Sequence, residues 1–313
     1  MLNRRFLRMK AFQSLYSFSV EENADAQRYK KRMLEGIEKT YELYLFMLSF
    51  PVELKNYIQS ELGIEEAKFI PSKEIIISLQ NLSNNKVINC IEENAAFRNA
   101  LIKVPCKWSN ANDFLKKILG EILKNQAIID YSSKVDHSFQ EDKSVLTTIL
   151  ELVSSDSDLF ESYIEDLFSN WEDDQVLILT TLQKTLHSIK NASSNFLVPM
   201  HIDEEEDIKF LNAIFDYTLQ NQEELTELIS LKTQNWDQDR IAMVDMVLMT
   251  MALSEILYFP FIPVKVTINE YLELAKLYST PSSHGFINGI LDKIQIDLRK
   301  ENRIQKMGRG LVD

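Results

Sequence analysis

Glycine and proline are scarce in this chain, with 7 of each among 313 residues. Sheets joined by many turns need both residue types, so their scarcity beside abundant Leu, Ile, Lys and Glu predicts an all-α protein. Cysteine is scarcer still. Cys90 and Cys106 are two thiols without a C-x-x-C spacing, which excludes a disulfide framework and a metal knuckle and fits a reducing cytoplasm. The four histidines, His137, His187, His201 and His284, are far apart and lack metal-ligand spacing. No glycine-rich phosphate loop, H-E-x-x-H pair or G-x-S-x-G elbow occurs. Acid pairs such as Glu204 and Glu205 read as solvated charges. No apolar run approaches the roughly 18 residues that span a bilayer; the best, residues 43–48, is broken by Ser49 and Pro51. The absences together predict a cytoplasmic, non-enzymatic protein with no cofactor, no metal and no membrane association.

What the chain does have is an uneven distribution of charge. Its net charge is -13, yet residues 1–20 contain Arg4, Arg5, Arg8 and Lys10 and no acid before Glu21, a local excess of +4. Phe6, Met9, Gln13 and Tyr16 mark one side of a helix, and Arg4 and Arg8 form an i, i+4 pair displaced from it. Such a helix can dock and still present cations. An acid-free, arginine-bearing start also suits a mitochondrial presequence, whereas Arg8, Lys10 and Gln13 interrupt the apolar core a secretory signal needs. A merely solvated basic face is the third reading of these residues.

The densest pattern lies near the other end. Ile268, Tyr271, Leu272 and Ala275 recur at i, i+3, i+4 and i+7, with Asn269, Glu270, Glu273 and Lys276 opposite. Thr280-Pro281 then predicts a cap and first-turn proline, opening a second helix that buries Phe286, Ile290, Leu291 and Ile294. Gly285 and Gly289 each cost roughly 1 kcal/mol against alanine in a helix. Their pairing one turn apart predicts close approach of another backbone or a ligand.

The I-N-E run at 268–270, continuing to Leu274-Ala275-Lys276, and the S-x-x-F-I-N-G-I-L-D run at 283–292 resemble the NusB family of transcription antitermination factors. Residues 239–258 fit its preceding helix through Asp245, Met249, Ala252, Glu255 and Ile256. Ala11, Gln13, Leu15 and Tyr16 match the A-x-Q-x-L-Y end of its arginine-rich first helix. The resemblance implies an all-α, NusB-like bundle of two packed helical subdomains. It also implies a non-enzymatic RNA-binding role. The partners would be a boxA-like single-stranded RNA, ribosomal protein NusE and the RNA polymerase elongation complex during ribosomal RNA transcription. The RNA-binding residues expected at the first helix are Arg4, Arg5, Arg8, Lys10, Gln13 and Tyr16; Ser283 and His284 join them because the N-terminus of the second helix suits a phosphate, the other reading of His284 being a solvent-exposed histidine of the capping turn. The family-motif positions are Asn269, Glu270, Glu273, Phe286, Asn288, Gly289 and Asp292. Met246, Thr250 and Ser254 stand where the family often has arginines and a tyrosine. They leave the helix 239–258 apolar almost all round, so it should be buried, with the inserted residues as its expected cover. The loop Phe259-Pro260-Phe261-Ile262 is apolar enough to be sealed by the insertion or to form an interface. The alternative function is a helical protein-interaction scaffold without RNA binding. An RNA cytosine methyltransferase, which uses the same fold to guide RNA, would need a catalytic domain for which no room follows residue 300.

The resemblance covers residues 1–24 and 205–300; 25–204 read as a helical insertion and 301–313 as a basic, flexible tail. Helices are predicted over 27–49, 52–61, 73–81, 86–102, 111–126, 141–153, 158–169 and 173–189, with a linker at 191–207. Asn170-Trp171-x-x-Asp174 parallels Asn235-Trp236-x-x-Asp239. Likewise Phe114-Leu115-x-x-Ile118 with Asn125-Gln126 parallels Phe210-Leu211-x-x-Ile214 with Asn221-Gln222. The shared order suggests a degenerate duplication or chance similarity of amphipathic helices.

Overall fold

A computed structural model describes residues 1–134, 136–155, 157–233 and 241–311. Among them are fifteen α-helices and no strand, and no helix is long and apolar enough to cross a membrane. The second Asn-Trp segment of the suspected duplication, and residues 239–240 of the predicted helix, lie outside the described residues.

The chain divides into two compact units. One joins Leu2–Ile37 to His201–Asp313, and the other comprises Glu38–Met200 with Met1. The first unit contains α1 (Arg4–Val20), the start of α2 (Ala26–Glu66), α11 (Glu204–Gln220), α12 (Gln222–Lys232), α13 (Met243–Tyr258), α14 (Val264–Tyr278) and α15 (Ser283–Lys300). At its centre is α13, buried from Val247 to Ile256. Its neighbours are α1, α11, α12, α14 and α15. The cover expected from the insertion is thus supplied by helices of this same unit. On α14, Ile268, Tyr271, Leu272 and Ala275 are all buried, as the apolar period requires. On α15 the buried set is Ile287, Ile290, Leu291, Ile294 and Leu298, and Phe286 is only half-buried. Thr280-Pro281 precedes the helix and does not open it: Ser282 is the N-cap. Among the described residues, no atom lies within 4 Å of where a Cβ would stand at Gly285 or Gly289, helix backbone and chain neighbours aside. No other backbone among the described residues therefore explains the glycine pair.

The second unit contains the remainder of α2, then α3 (Lys73–Ser83), α4 (Lys86–Glu93), α5 (Ala95–Leu101), α6 (Asn112–Ile122), α7 (Gln126–Ser132), α8 (Phe139–Ser155), α9 (Asp158–Leu167) and α10 (Trp171–Ser188). Helix α2 runs through Pro51, where a break was predicted. Proline costs an interior helix about 3 kcal/mol. Burial of Phe50, Leu54 and Ile58 around it, worth roughly 1.5–3 kcal/mol per large apolar side chain, outweighs that cost. The helix predicted over 86–102 is divided at Asn94, whose side chain accepts from Phe97 N at 2.9 Å and donates to the carbonyls of Ala192 and Ser194. Similarly, 111–126 ends at Ile122, and Asn125 caps the short α7. A reciprocal pair starts α8: Ser138 Oγ accepts from Glu141 N at 3.2 Å, and Glu141 Oε2 accepts from Ser138 N at 2.9 Å. The core includes Phe46 stacked on Trp108 at 4.2 Å and Phe114 on Tyr163 at 4.1 Å. Buried Asp174 accepts from Thr40 and Asn170, both at 2.6 Å.

The predicted linker ends earlier than expected, because Glu204, Glu205, Glu206 and Asp207 form the first turn of α11. Carboxylates there favour the positive end of the helix dipole. Residues after α15, expected as a flexible tail, return to the α13–α14 loop instead. Asn302 takes φ 57°, Arg303 N bonds Leu298 O at 2.9 Å, and Met307 N bonds Pro260 O at 2.9 Å.

Candidate nucleic-acid interface

Helix α1 is started by Asn3, whose side chain accepts from Phe6 N at 2.9 Å. Phe6, Leu7, Met9, Ala11, Phe12 and Leu15 are buried. This broad apolar face takes Arg8 with it. Arg8 is 2% exposed and donates through Nε and Nη2 to Glu255 of α13, both at 2.7 Å. Glu255 is fully buried and also accepts from Thr267 Oγ1 at 2.7 Å and Tyr271 OH at 3.4 Å. Burial opposes the Arg8 charge, but attraction and hydrogen bonding to Glu255 outweigh it, so its pKa is raised. Burial and the Glu255 charge likewise push the Tyr271 hydroxyl far up. The predicted RNA contact from Arg8 is therefore corrected: this guanidinium ties α1 to α13 and α14 inside the unit.

Arg4 and Arg5 are different. Arg4 pairs with Glu206 of α11 and lies over the Phe210 ring, 4.5 Å from its centroid. Arg5 is about half exposed and donates to Glu270 at 3.0 and 2.9 Å. The Glu270 hydrogen bond is the main reason its pKa is raised. Both arginines border a groove of about 1020 Å³ between the start of α1, α11 and the α13–α14 loop. Phe210, Tyr217, Tyr258 and Phe259 form its aromatic wall, with Tyr217 and Phe259 ring centroids 5.9 Å apart. Phe261, 65% exposed, stands at the edge. Lys209 and Arg309 add two cations with no ion-pair or hydrogen-bond partner among the described residues.

Of the other predicted positions, Glu270 alone joins this groove. Lys10 is buried, its ammonium 5.1 Å from the Phe6 ring centroid. Gln13 donates to Tyr278 OH at 2.9 Å, and half-buried Tyr16 lies beside Phe12, which packs on Tyr278. Ser283 is 5% exposed, its hydroxyl bonded to Ser279 at 2.9 Å and to Thr280 at 2.9 Å. Its hydroxyl is thus engaged within the turn that precedes α15. His284 is half-exposed beside it. Glu273 has its pKa lowered mainly by Lys276, with Arg5 and His284 also contributing; its carboxylate thus lies in the field of both. Asn269 is exposed, and Asn288, Gly289 and Asp292 are half-buried on α15. Lys209, Phe210 and Arg309 were missed. Besides Arg4, Arg5 and Glu270, the apolar 259–262 loop, noted as a possible interface, pointed to this place in the sequence.

The NusB family model matches residues 175–295. The match begins within α10, upstream of the boundary at 205 read from the motifs, and ends before the C-terminal return segment. Among similar proteins, the transcription antitermination protein NusB of Salinibacter ruber is 36% identical over 161 residues, covering 51% of this chain and 92% of its own length. That of Chloroherpeton thalassium is 40% identical over 104 residues, 33% of this chain and 49% of its own. That of Natranaerobius thermophilus is 40% identical over 92 residues, 29% and 66%. No solved structure matches the chain. With a relative at 36% identity matched over nine-tenths of its length, and the I-N-E and N-G motifs on adjoining helices of one unit, the chain belongs to the NusB family.

Proposed function

We propose that this chain is a transcription antitermination factor that binds a boxA-like single strand of RNA, acting with ribosomal protein NusE in the RNA polymerase elongation complex. The observation that carries the reading is the groove, where guanidinium groups stand beside an aromatic wall. Single strands are held by this combination, cations following the phosphates while bases stack on rings. Arg4 and Arg5 are the residues assigned to phosphate contact, and Phe261 is an exposed ring available for stacking. With a net charge of -13, long-range repulsion opposes a polyanion, so the free protein binds RNA weakly and a partner such as NusE raises affinity.

The test is fluorescence anisotropy of a labelled boxA-type RNA, with and without NusE, on the wild type and an Arg4→Ala/Arg5→Ala variant. Binding that tightens with NusE and weakens with salt, with a log-log slope that falls in the variant by about 0.7 for each phosphate it no longer neutralises, supports the reading. A scaffold without RNA binding is favoured by one observation: Arg4 and Arg5 are already neutralised by Glu206 and Glu270. That reading predicts NusE or another protein binding while RNA is ignored in every combination.

A further inference from the structure

The C-terminal return segment builds part of the groove. After α15 the chain turns at Asn302, and Arg303 pairs with Glu224 of α12. Lys306 Nζ then donates to the Phe259 carbonyl at 2.9 Å and to the Glu255 carbonyl at 3.4 Å. Met307 N donates to Pro260 O at 2.9 Å, and a short 3-10 turn, Gly308–Leu311, follows. The two glycines of this turn have separate physical reasons. Gly308 sits at φ 53°, where a side chain is strained, and a Cβ there would stand 3.5 Å from the Phe261 ring. At Gly310 a Cβ would collide with the Pro260 carbonyl, which is backbone and has no rotamer to escape through. Between them is Arg309, exposed, lining the groove and without a partner among the described residues.

We propose that residues 303–311 form a clasp that holds Arg309 on the rim of the groove as a phosphodiester-binding residue, with Lys209 as the cation on the α11 side. The assignment rests on the RNA reading above. The cations of the groove differ in what each must give up. Arg4 and Arg5 already share their charge with Glu206 and Glu270, which compete with a phosphate for them. Lys209 and Arg309 give up no carboxylate, so they are the contacts available to an approaching strand before any internal pair opens. The clasp also seats Gly308, the residue before Arg309, against the Phe261 ring, and Arg309 and Phe261 both line the groove, which supplies the cation and the ring that a phosphate and a stacked base need.

The experiment measures binding of a labelled boxA-type RNA of about 12 nucleotides, within the site size of one single-strand-binding module, to the full chain with NusE. It is run across a salt series for wild type, Arg309→Ala, Gly310→Ala and Arg4→Ala/Arg5→Ala. Thermal melts accompany each variant. Arg309→Ala is expected to weaken binding on the order of threefold, as for one exposed charge pair, and to lower the salt slope by about 0.7. Its melting temperature should not change. Gly310→Ala keeps the arginine but expels the clasp, and should reproduce the weaker affinity. Arg309→Ala with unchanged affinity and slope, while Arg4→Ala/Arg5→Ala weakens binding, overturns the clasp assignment and leaves the RNA reading intact. Gly310→Ala that binds like wild type while retaining its fold also overturns it. Wild type that binds no RNA with NusE present removes both.

Discussion

Replacing Arg8 by Met should destabilise the protein without removing an RNA contact. The side chain is 2% exposed and Glu255 is fully buried, so the variant leaves a carboxylate inside the unit with only the hydroxyls of Thr267 and Tyr271, at 2.7 and 3.4 Å, to solvate it. Breaking such a pair by removing one partner costs about 3–5 kcal/mol, a large share of a typical domain stability of about 5–15 kcal/mol. At roughly 2–4 °C per kcal/mol for a domain of about 150 residues, the melting temperature of this unit should fall by roughly 10 °C. Arg8→Lys should fall between, because a single ammonium cannot reproduce the two-pronged contact. The double variant Arg8→Met/Glu255→Leu removes the stranded charge and should recover most of the loss, remaining about 1–2 kcal/mol below wild type for the two hydroxyls left without an acceptor. Calorimetry of wild type, Arg8→Met, Glu255→Leu and the double variant closes the cycle. A melt of Arg8→Met within about 2 °C of wild type, where roughly 10 °C is expected, would refute the reasoning, and so would a double variant whose loss equals the sum of its singles.

Other expectations follow from single side chains. Asn94→Ala removes the α5 cap and the bonds to Ala192 and Ser194, and should lower stability in urea unfolding by about 2–4 kcal/mol, where a loss below about 0.5 kcal/mol contradicts the account. Gly289→Ala meets no neighbour and should stabilise by about 0.4–1 kcal/mol. If it weakens NusE or RNA binding at the same time, the bare helix face is a contact surface; if it destabilises, the open space inferred there is wrong. Glu141 has its pKa lowered to about 2 by Lys134 first and by Ser138. A depressed carboxyl stabilises above its unfolded value near about 4.3 and loses that contribution as pH falls through the folded value. An NMR titration of Glu141 should thus have its midpoint near 2, and a midpoint at or above the unfolded value would exclude the Ser138 and Lys134 contacts in solution.

Local pattern carried the parts of the fold whose determinants are local. The α14 face Ile268, Tyr271, Leu272 and Ala275 was legible because burial there follows the helical period. The division of Arg8 from Arg4 and Arg5 was not. All are arginines on one helix, and what separates them is Glu255, 247 residues away. Pro51 and Asn94 mislead for opposite reasons. The proline is carried by tertiary burial that no local rule contains, whereas the asparagine breaks a continuous apolar pattern because its amide reaches carbonyls 98 and 100 residues downstream. The groove was least legible, since Lys209, the 258–261 stretch and Arg309 come from separate segments. In the sequence Gly308-Arg309-Gly310 looks like an unstructured end; its meaning depends on the Pro260 carbonyl it packs against.

The carboxylates of Glu206 and Glu270 act as anions built into the chain, already seated on Arg4 and Arg5. Each behaves as a tethered competitor at an effective concentration on the order of millimolar. An incoming anion with one point of attachment gains little by exchanging places with it. A strand that arrives with several phosphates and bases at once can displace both, because its later contacts form within an encounter already made. Under the proposed RNA reading, the two glutamates set a threshold at Arg4 and Arg5 that a multivalent strand crosses more readily than a small anion.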